Sequence, residues 1–236
     1  MRYIILAAGK GTRLHPLTKK CPKCMYNLEA DKSVIQTMIA NIRLCDPSAE
    51  FIVVTGFMRK EIEEHLKDVV FVYNPFYEIT NSIASLWFAK EYLTGDITIL
   101  NADIVAEEKL IRNVIVQKLA GAKILLDSSI KQNGDYNVQV KDDIVVVMSK
   151  ELTNYYGEYA GITKLDSSSA EILRQEVEYM IHDQNYDQWY ENALVQLIFK
   201  NDFKLGFIDI AEYNWAEIDT VDDLITSKEI FSKRNY

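Results

Sequence analysis

The chain has 236 residues, of which 26 are Lys or Arg and 35 are Asp or Glu, so its formal net charge is -9. This acidic balance argues against a nucleic-acid-binding protein, because affinity for a phosphate backbone comes from cationic side chains. A hydrophobic content of 48% with only 9 Gly and 4 Pro is ordinary for a globular α/β domain and excludes disordered and collagen-like chains.

Apolar runs of strand length alternate with segments of helical period through the first half of the chain. Such alternation predicts βαβ units, and hence a Rossmann-like α/β fold with a mostly parallel sheet flanked by helices. The predicted strands are residues 3–6, 51–54, 69–73 and 97–100. The predicted helices carry apolar positions 35, 38, 39 and 42, or span residues 60–66 and 82–93. A polar loop is expected from residue 7 to about residue 32.

The second half predicts a smaller antiparallel lobe. Residues 136–140 and 144–148 flank a polar turn and predict a hairpin. The further predictions are strands at 159–165 and 205–208, and helices at 170–182, at 189–199 and from about 221. Since no Pro-rich or Gly/Ser-rich linker divides the halves, we expect one domain over 1–236 with lobes at about 1–110 and 111–236.

The chain has three cysteines, two of which could form a metal or redox site. Cys21 and Cys24 have the CxxC spacing of zinc and redox sites, but the other possible N/S ligands, Cys45 and three His, are scattered. Incidental spacing is therefore favoured, with a weak metal or redox role as the alternative.

No apolar run approaches the roughly 18–20 residues of a membrane span, and no signal-peptide pattern opens the chain. We expect a cytoplasmic protein that contacts no membrane.

A glycine-containing turn, LAAGKGTRL at residues 6–14, follows the first predicted strand directly. Gly9 and Gly11 let the backbone approach a phosphate, so the sequence predicts a phosphate-binding turn. Position 14 lacks the third glycine of a dinucleotide-binding fingerprint, and the turn does not close with the Gly-Lys-Ser/Thr of a P-loop. Arg13 and Lys23 could neutralise charge on a polyphosphate, although either alone could be a solvated surface cation.

Three carboxylates, Asp103, Glu217 and Asp219, are candidate ligands for Mg²⁺. Asp103 follows the strand predicted at 97–100, at the end where parallel sheets bind ligands. Glu217 and Asp219 are two residues apart and share one face of an extended segment. Magnesium is usually held by one or two carboxylates together with phosphates and water. Asp219 could equally cap the last helix, and the residues alone leave both alternatives open.

The turn at 6–14, followed by Pro16, Thr18 and the Pro22-Lys23 pair, resembles the signature of nucleotidyltransferases that join NTPs to phosphorylated small molecules. Sugar-1-phosphate nucleotidyltransferases and bacterial CTP:phosphocholine cytidylyltransferases belong to this family. The resemblance covers nearly the whole chain and departs at residues 24–27. Glu217-Ile218-Asp219 is similar to the motif of the phosphocholine branch, where sugar-type members usually have Asp and then Gly.

The resemblance implies which residues bind the nucleotide and the metal. Residues 1–110 would bind the nucleotide, and Mg²⁺ would be held by Asp103, Glu217 and Asp219. Asn81 and Ser82 would read the base, although a helix cap explains them equally well. The implied nucleotide-binding residues are Leu6, Ala7, Ala8, Gly9, Gly11, Thr12, Arg13, Lys23, Asn81, Ser82 and Ser85.

The second lobe implies an acceptor site. Lys150 matches the family Lys that contacts the acceptor phosphate, and with Arg13 and Lys23 it completes the predicted catalytic cations. The Tyr-rich second half could surround a quaternary ammonium, although core or dimer-interface packing also accounts for aromatic residues. The predicted acceptor-binding residues are Tyr136, Lys150, Glu158, Trp189, Tyr190 and Glu191.

The expected activity is therefore a magnesium-dependent transfer of CMP from CTP to phosphocholine or a similar small phosphorylated amine or phosphonate, with release of pyrophosphate. The protein would act as a monomer or homodimer. One alternative is a sugar-1-phosphate nucleotidyltransferase that uses UTP, dTTP or CTP. Another is a non-catalytic nucleotide-binding regulatory module. A glycosyltransferase is disfavoured, because Asn101 stands where its Asp-x-Asp motif would need the first acid.

Overall fold

The computed structural model describes residues 1–29, 32–130, 136–200 and 203–232. Its strands are β1 (Arg2–Ala7), β2 (Asn27–Glu29), β3 (Lys32–Ser33), β4 (Glu50–Thr55), β5 (Val70–Tyr73), β6 (Ile97–Asn101), β7 (Ile104–Ala106), β8 (Ala122–Asp127), β9 (Asn137–Lys141), β10 (Ile144–Ser149), β11 (Gly157–Leu165), β12 (Leu205–Asp209) and β13 (Trp215–Glu217). Its α-helices are α1 (Val34–Cys45), α2 (Arg59–His65), α3 (Ser82–Phe88), α4 (Glu108–Leu110), α5 (Ser167–His182), α6 (Glu191–Lys200) and α7 (Val221–Ser232).

The main sheet has a parallel half and an antiparallel half. The parallel half has the order β6-β1-β4-β5. β11 pairs antiparallel with β6. It also pairs with β9, so the hairpin β9-β10 belongs to the same sheet. β8 also pairs with β11, and β12 runs parallel to β8. The predicted α/β fold class is confirmed, and strands from both predicted lobes contribute to one sheet.

Two hydrophobic clusters cover the two faces of this sheet. One contains Ile4 and Ile99 with the buried sides of α3, α5 and α6. The other contains Ile5 and Leu100 with the buried side of α1. Because neighbouring residues of β1 and β6 enter opposite clusters, both faces of these strands are covered, which explains their continuous apolar runs. Ser33 and Gln36 form a capping box that starts α1 at the predicted helix.

Several elements differ from the sequence prediction. β8, which lies between β11 and β12, was not predicted. The helix expected over 82–93 ends at Phe88 and continues, after Ala89, as a 3₁₀ turn, Lys90–Tyr92. The loop expected up to residue 32 contains three 3₁₀ turns and β2. The helix α4 passes directly into a π-helix, Ile111–Ile115. The differences are mostly in short elements, where local sequence patterns are weakest.

Gly161 lies in the middle of β11, where the strand changes neighbours. Its φ of +66° is in the left-handed region that favours glycine. A Cβ at this position would meet Asn101 Nδ2 at 2.9 Å and Ile104 Cδ1 at 2.8 Å. The register with β8 shifts between Tyr159 and Thr163, which marks an irregularity of the bulge type. Gly161 thus allows β11 to lie directly against the end of β6.

Lys164 is buried within the sheet, with 1% of its surface exposed. It lies on β11, and its ammonium donates a hydrogen bond to the backbone carbonyl of Ile115 in the π-helix. Burial disfavours the charged form and lowers the pKa of Lys164 from 10.5 to about 7.

The depressed pKa of Lys164 predicts a pH dependence of stability. Between about pH 7 and pH 10.5 the unfolded chain binds more protons than the native protein, so stability rises with pH over this interval. We expect the free energy of unfolding to rise by several kcal/mol, at most ~5 kcal/mol, and Lys164→Met to lack this rise. Urea unfolding from about pH 7 to about pH 9 measures it. Lys109→Met, at an exposed position on α4, is the matched control. Equal slopes for wild type and Lys164→Met would contradict the expectation.

Among the residues that the structure describes, no helix is both long enough and apolar enough to cross a membrane.

Candidate active site

A cleft of about 320 Å³ opens where β1 and β6 end. It is lined by Leu6, Ala7, Ala8, Gly9, Gly11, Thr12, Arg13, Pro22, Lys23, Cys24, Asn74, Tyr77, Thr80, Asn81, Ser82, Ser85, Asn101, Ala102, Asp103, Trp189, Glu191 and Asp219. Every residue predicted to bind the nucleotide is in this set. Residues far apart in the chain therefore form one cavity.

The glycine turn is held in place by the segment that follows it. Gly11 has a φ of +60°, again in the left-handed region. The Thr18 hydroxyl donates a hydrogen bond of 2.7 Å to the Gly11 carbonyl. A Cβ on Gly11 would lie 3.1 Å from Thr18 Cγ2 and 3.2 Å from Lys23 Cβ. The turn and the Pro22-Lys23 segment therefore pack closely, which holds the base of the Lys23 side chain beside the turn.

Lys23, Asp103 and Asp219 meet in this cleft. The Lys23 ammonium contacts Asp103 Oδ2 and donates a hydrogen bond of 2.7 Å to Asp219 Oδ1. Arg13 Nη1 donates a hydrogen bond of 2.7 Å to Asp219 Oδ2. The two cations predicted to bind phosphates and two of the acids predicted to bind metal are thus paired with one another. We call Arg13, Lys23, Asp103 and Asp219 the charge cluster.

The charge cluster shifts the protonation of Lys23. Burial alone would lower the pKa of Lys23, but the nearby carboxylates of Asp103 and Asp219 outweigh burial and raise it above its ordinary value. Lys23 is therefore fully charged at neutral pH, so it can neutralise an anion but cannot act as a general base.

Asp219 does not cap α7. The capping contacts belong to Thr220, whose hydroxyl accepts a hydrogen bond of 3.2 Å from the Asp223 backbone N–H. The Asp223 carboxylate accepts in return from the Thr220 backbone N–H, at 2.7 Å. Of the two alternatives left open for Asp219, the cap is therefore wrong, and its carboxylate faces the cations of the cleft.

The carboxylates of the site fit a hard divalent cation in their chemistry. Asp103 Oδ1 is buried and has no hydrogen-bond partner, and a carboxylate oxygen is the ligand that Mg²⁺ prefers. Glu217 lies behind the cleft wall, where its Oε1 accepts a hydrogen bond of 3.2 Å from Asn101 Nδ2. Burial, and then the charge of Asp103, raises the pKa of Glu217 well above its ordinary value. Within the described ranges no three His, Cys, Asp or Glu residues form a group that could hold a metal ion. Asp103 Oδ2 and Asp219 Oδ1 would bind one only by leaving Lys23.

A hydrogen-bonded wall of the cleft, formed by Asn74, Thr80, Asn81, Ser82 and Ser85, was only partly predicted. Asn74 is fully buried, and its Nδ2 donates to Ser85 Oγ at 3.0 Å and to Thr80 Oγ1 at 3.2 Å. Asn81 accepts from the Ser82 backbone N–H at 2.8 Å, so it caps α3 and also lines the cleft. The cap and the binding role are therefore compatible. Sequence reasoning missed Asn74 and Thr80; the Asn and Ser pattern before α3 was the available signal.

Gly56 joins this wall to the glycine turn. A Cβ on Gly56 would lie 2.7 Å from the Ala8 carbonyl oxygen and 2.7 Å from Tyr77 Cβ. Neither neighbour is the end of a flexible side chain, so any larger residue would push the two apart. The Tyr77 ring also makes an edge contact with Phe57, with 6.4 Å between the ring centroids. The backbone at Gly56 thus holds Tyr77 close to Ala8 at the cleft.

Trp189 and Glu191 line the cleft from the segment that leads into α6. Glu191 is 7% exposed, and its Oε2 is buried without a hydrogen-bond partner. Burial raises the pKa of Glu191 to about 7, and the charge of Lys150 opposes the rise. Lys150 Nζ lies 4.2 Å from the centroid of the Trp189 ring, a cation–π contact. Tyr136 meets Trp189 edge-on, with 6.1 Å between the ring centroids.

Four of the predicted acceptor residues do not line the cleft itself: Tyr136, Lys150, Glu158 and Tyr190. Tyr190 is fully buried, and its hydroxyl bonds to Tyr159 and, at 3.1 Å, to Thr163. Its backbone N–H donates to Ser82 Oγ at 2.9 Å, so it ties α3 to the start of α6. Glu158 lies on β11, opposite Asp127 of β8. Tyr190 therefore supports the site through Ser82, and neither Tyr190 nor Glu158 lines the cleft.

The cysteines are all free thiols. Burial raises the pKa of the Cys24 thiol to about 12, and burial also raises the pKa of Cys21. Both thiols are therefore protonated at neutral pH, a state that is weak both as nucleophile and as metal ligand. Cys24 lines the cleft beside Lys23.

The sequence profile of the family described as Nucleotidyl transferase matches residues 2–136. A CTP:phosphoglutamine cytidylyltransferase from Campylobacter jejuni is 26% identical over 257 residues, which cover 95% of this chain and 98% of that protein. A choline-phosphate cytidylyltransferase from Streptococcus pneumoniae is 25% identical over 244 residues, which cover 100% of both. Several other relatives are longer bifunctional proteins, of which the chain spans between 26% and 55%.

Solved structures show the same fold. A CTP:phosphocholine cytidylyltransferase from Streptococcus pneumoniae gives a TM-score of 0.81 at 22% identity, covering 98% of each chain. An inositol-1-phosphate CTP transferase from T. maritima gives a TM-score of 0.80 at 18% identity, covering 98% of this chain and 95% of the other.

Proposed function

The chain belongs to the nucleotidyl transferase family, and from this premise we propose that it is a magnesium-dependent cytidylyltransferase. In this proposal CMP passes from CTP to phosphocholine or a similar small phosphorylated amine or phosphonate, and pyrophosphate is released. Residues of about 1–110 bind the nucleotide, and residues of about 111–236 supply most of the acceptor side.

The observation that carries this proposal is the charge cluster beside the glycine turn. Lys23 is held between Asp103 and Asp219, and Arg13 reaches the same Asp219 carboxylate. A triphosphate with its cation brings both signs of charge. It can therefore take over both halves of the cluster, with its oxygens on Arg13 and Lys23 and its cation on the carboxylates.

The transfer itself needs no protein nucleophile. The acceptor phosphate is largely ionised at neutral pH because its second pKa is about 6. One of its oxygens attacks the α-phosphorus of CTP, an O–P bond forms, and the bond to the β-phosphate oxygen breaks with its electron pair leaving on pyrophosphate. The protein contributes position and charge: the glycine turn holds the phosphates, and Arg13 and Lys23 neutralise the negative charge of the leaving group.

Magnesium supplies further neutralisation of the phosphate oxygens when it is bound by Asp103 and Asp219, with Glu217 behind them. The chain's own contribution to that site is the buried, unpartnered Asp103 Oδ1. Asn101 positions Glu217 through its hydrogen bond of 3.2 Å.

A cationic head group on the acceptor is supported by Glu191 and Trp189. A buried carboxylate oxygen without a hydrogen-bond partner is stabilised by a positive charge, and the face of an indole ring, over which Lys150 stands here, attracts the same charge. Both groups line the cleft, and neither belongs to the glycine turn or to the charge cluster. A phosphorylated amine satisfies them with one end and presents its phosphate with the other.

Pyrophosphate release tests the proposal. We expect release with CTP and phosphocholine or 2-aminoethylphosphonate in the presence of Mg²⁺, and little with ATP, GTP or UTP. The acceptor panel also includes phosphorylated glutamine and several sugar 1-phosphates. Activity confined to UTP or dTTP with a sugar phosphate would assign the protein to the sugar branch. Tight NTP binding without release for any acceptor would instead support a regulatory module.

A further inference from the structure

The aromatic end of the cleft already holds a positive charge, and that charge belongs to the chain. Lys150 lies in the turn after β10, and its ammonium stands 4.2 Å from the centroid of the Trp189 ring. The same ammonium acts electrostatically on the Glu191 carboxyl. Lys150 thus contacts the indole face and acts electrostatically on the buried acid, as a cationic head group of the acceptor would.

We propose that Lys150 is a specificity-determining residue that occupies the position of the acceptor's cation until a ligand carrying both an amine and a phosphate displaces it. This inference rests on the function proposed above. An amine without a phosphate must displace Lys150 from the Trp189 face and offers the displaced ammonium no anion. A phosphorylated amine offers the displaced ammonium an anion, with a charge-assisted contact in place of the one it loses.

Lys150 and the cationic head group of an acceptor would compete for the same face of the Trp189 ring. Tyr136 packs edge-on against Trp189, and its hydroxyl donates a hydrogen bond of 2.9 Å to Asn192 Oδ1. The ring is therefore held from the side. Trp189 remains 38% exposed, and Lys150 stands over its face. Lys150, on a flexible side chain, can move more easily than the ring.

The proposed exchange explains how the site can distinguish an amine from its phosphate ester. Amine and ester share the same cationic head, so Trp189 and Glu191 attract both equally. Lys150 adds a difference: it opposes the amine by competing for the site and favours the ester by binding its phosphate. Selection for the phosphorylated acceptor would then occur at the binding step, before any chemistry.

Isothermal titration of the full-length protein with choline chloride, phosphocholine and the neutral isostere 3,3-dimethylbutan-1-ol tests the proposal. In Lys150→Met we expect choline to bind about 2- to 30-fold more tightly, the factor that corresponds to one cation–π contact. Phosphocholine should bind about tenfold more weakly, because its phosphate loses a charged partner. The neutral isostere should gain affinity as well, because it too has to displace Lys150 from the Trp189 face.

Two further variants separate competition from a structural effect. Lys150→Arg keeps a cation that stacks on aromatic rings, so its choline affinity should stay within about twofold of wild type. Lys141→Met, at an exposed position in the same hairpin, should leave both affinities unchanged. Lys150→Gln serves in place of Lys150→Met if circular dichroism shows that the Met variant is unfolded.

The proposal is overturned if removal of the Lys150 charge leaves choline affinity within about twofold of wild type, or if phosphocholine gains affinity as choline does. This outcome is distinct from failure of the proposed function. Pyrophosphate release from CTP and phosphocholine with unchanged choline binding in Lys150→Met would overturn the role of Lys150 alone. Tighter choline binding without any pyrophosphate release would uphold the cation exchange and overturn the cytidylyltransferase activity.

Discussion

Lys23→Met is expected to lower kcat for pyrophosphate release by about 10²- to 10³-fold, the usual effect of removing one positioned donor from a developing anion. The same change should make Mg²⁺ bind more tightly in the absence of nucleotide. The reason is that the Lys23 ammonium contacts Asp103 and Asp219 and so competes with any cation for both carboxylates. Turnover assays and calorimetric titration with MgCl₂ measure the two effects separately.

Opposite signs for catalysis and metal affinity distinguish this role from general damage to the site. Lys20→Met changes an exposed lysine in the same loop and should alter neither quantity. Turnover of Lys23→Met within about tenfold of wild type would contradict the catalytic role. Weaker Mg²⁺ binding in the variant would contradict the competition between the ammonium and the metal.

Asp103→Asn is expected to lower kcat by at least about 100-fold at ordinary Mg²⁺ concentrations, since it removes a charged oxygen ligand from the proposed metal site. Asn keeps the size of the side chain, so the fold should remain. High Mg²⁺ should recover part of the activity, because the site keeps Asp219. The assay is pyrophosphate release as a function of MgCl₂ concentration.

Asp222→Asn is the control for Asp103→Asn, because Asp222 is an exposed acid in the first turn of α7 and does not line the cleft. It should behave as wild type. Near-normal activity of Asp103→Asn at the same Mg²⁺ concentration would remove Asp103 from the proposed mechanism.

The parallel half of the sheet could be predicted because its strands are covered on both faces. β1 and β4 appear in the sequence as uninterrupted apolar runs, and β6 as an apolar run broken only by Thr98. Such runs have few other structural explanations. β8 was missed although Ile124, Leu125 and Leu126 are fully buried. Its apolar run is short and includes Lys123, so the pattern was weak, and its place in the sheet depends on β11 and β12, which come later in the chain.

The candidate site also has a part that could be predicted from the sequence and a part that could not. The side of the cleft formed by the glycine turn could be predicted because one contiguous segment, with Gly11 in a left-handed conformation, carries most of it. The acceptor side could not be resolved to individual residues, because the sequence does not tell which of two adjacent aromatics faces the cleft. Trp189 is exposed there, whereas Tyr190 is buried with its hydroxyl bonded to Tyr159 and Thr163.

The change of neighbours along β11 has a consequence for the range of acceptors. The first residues of this strand bond to β9, the first strand of the hairpin that Lys150 follows. Its last residues bond to β6, which ends two residues before Asp103. The distance between the two ends of the cleft is therefore fixed by one continuous backbone, with Gly161 setting the bend. A longer acceptor would need smaller side chains in the wall, since the sheet itself cannot lengthen the gap.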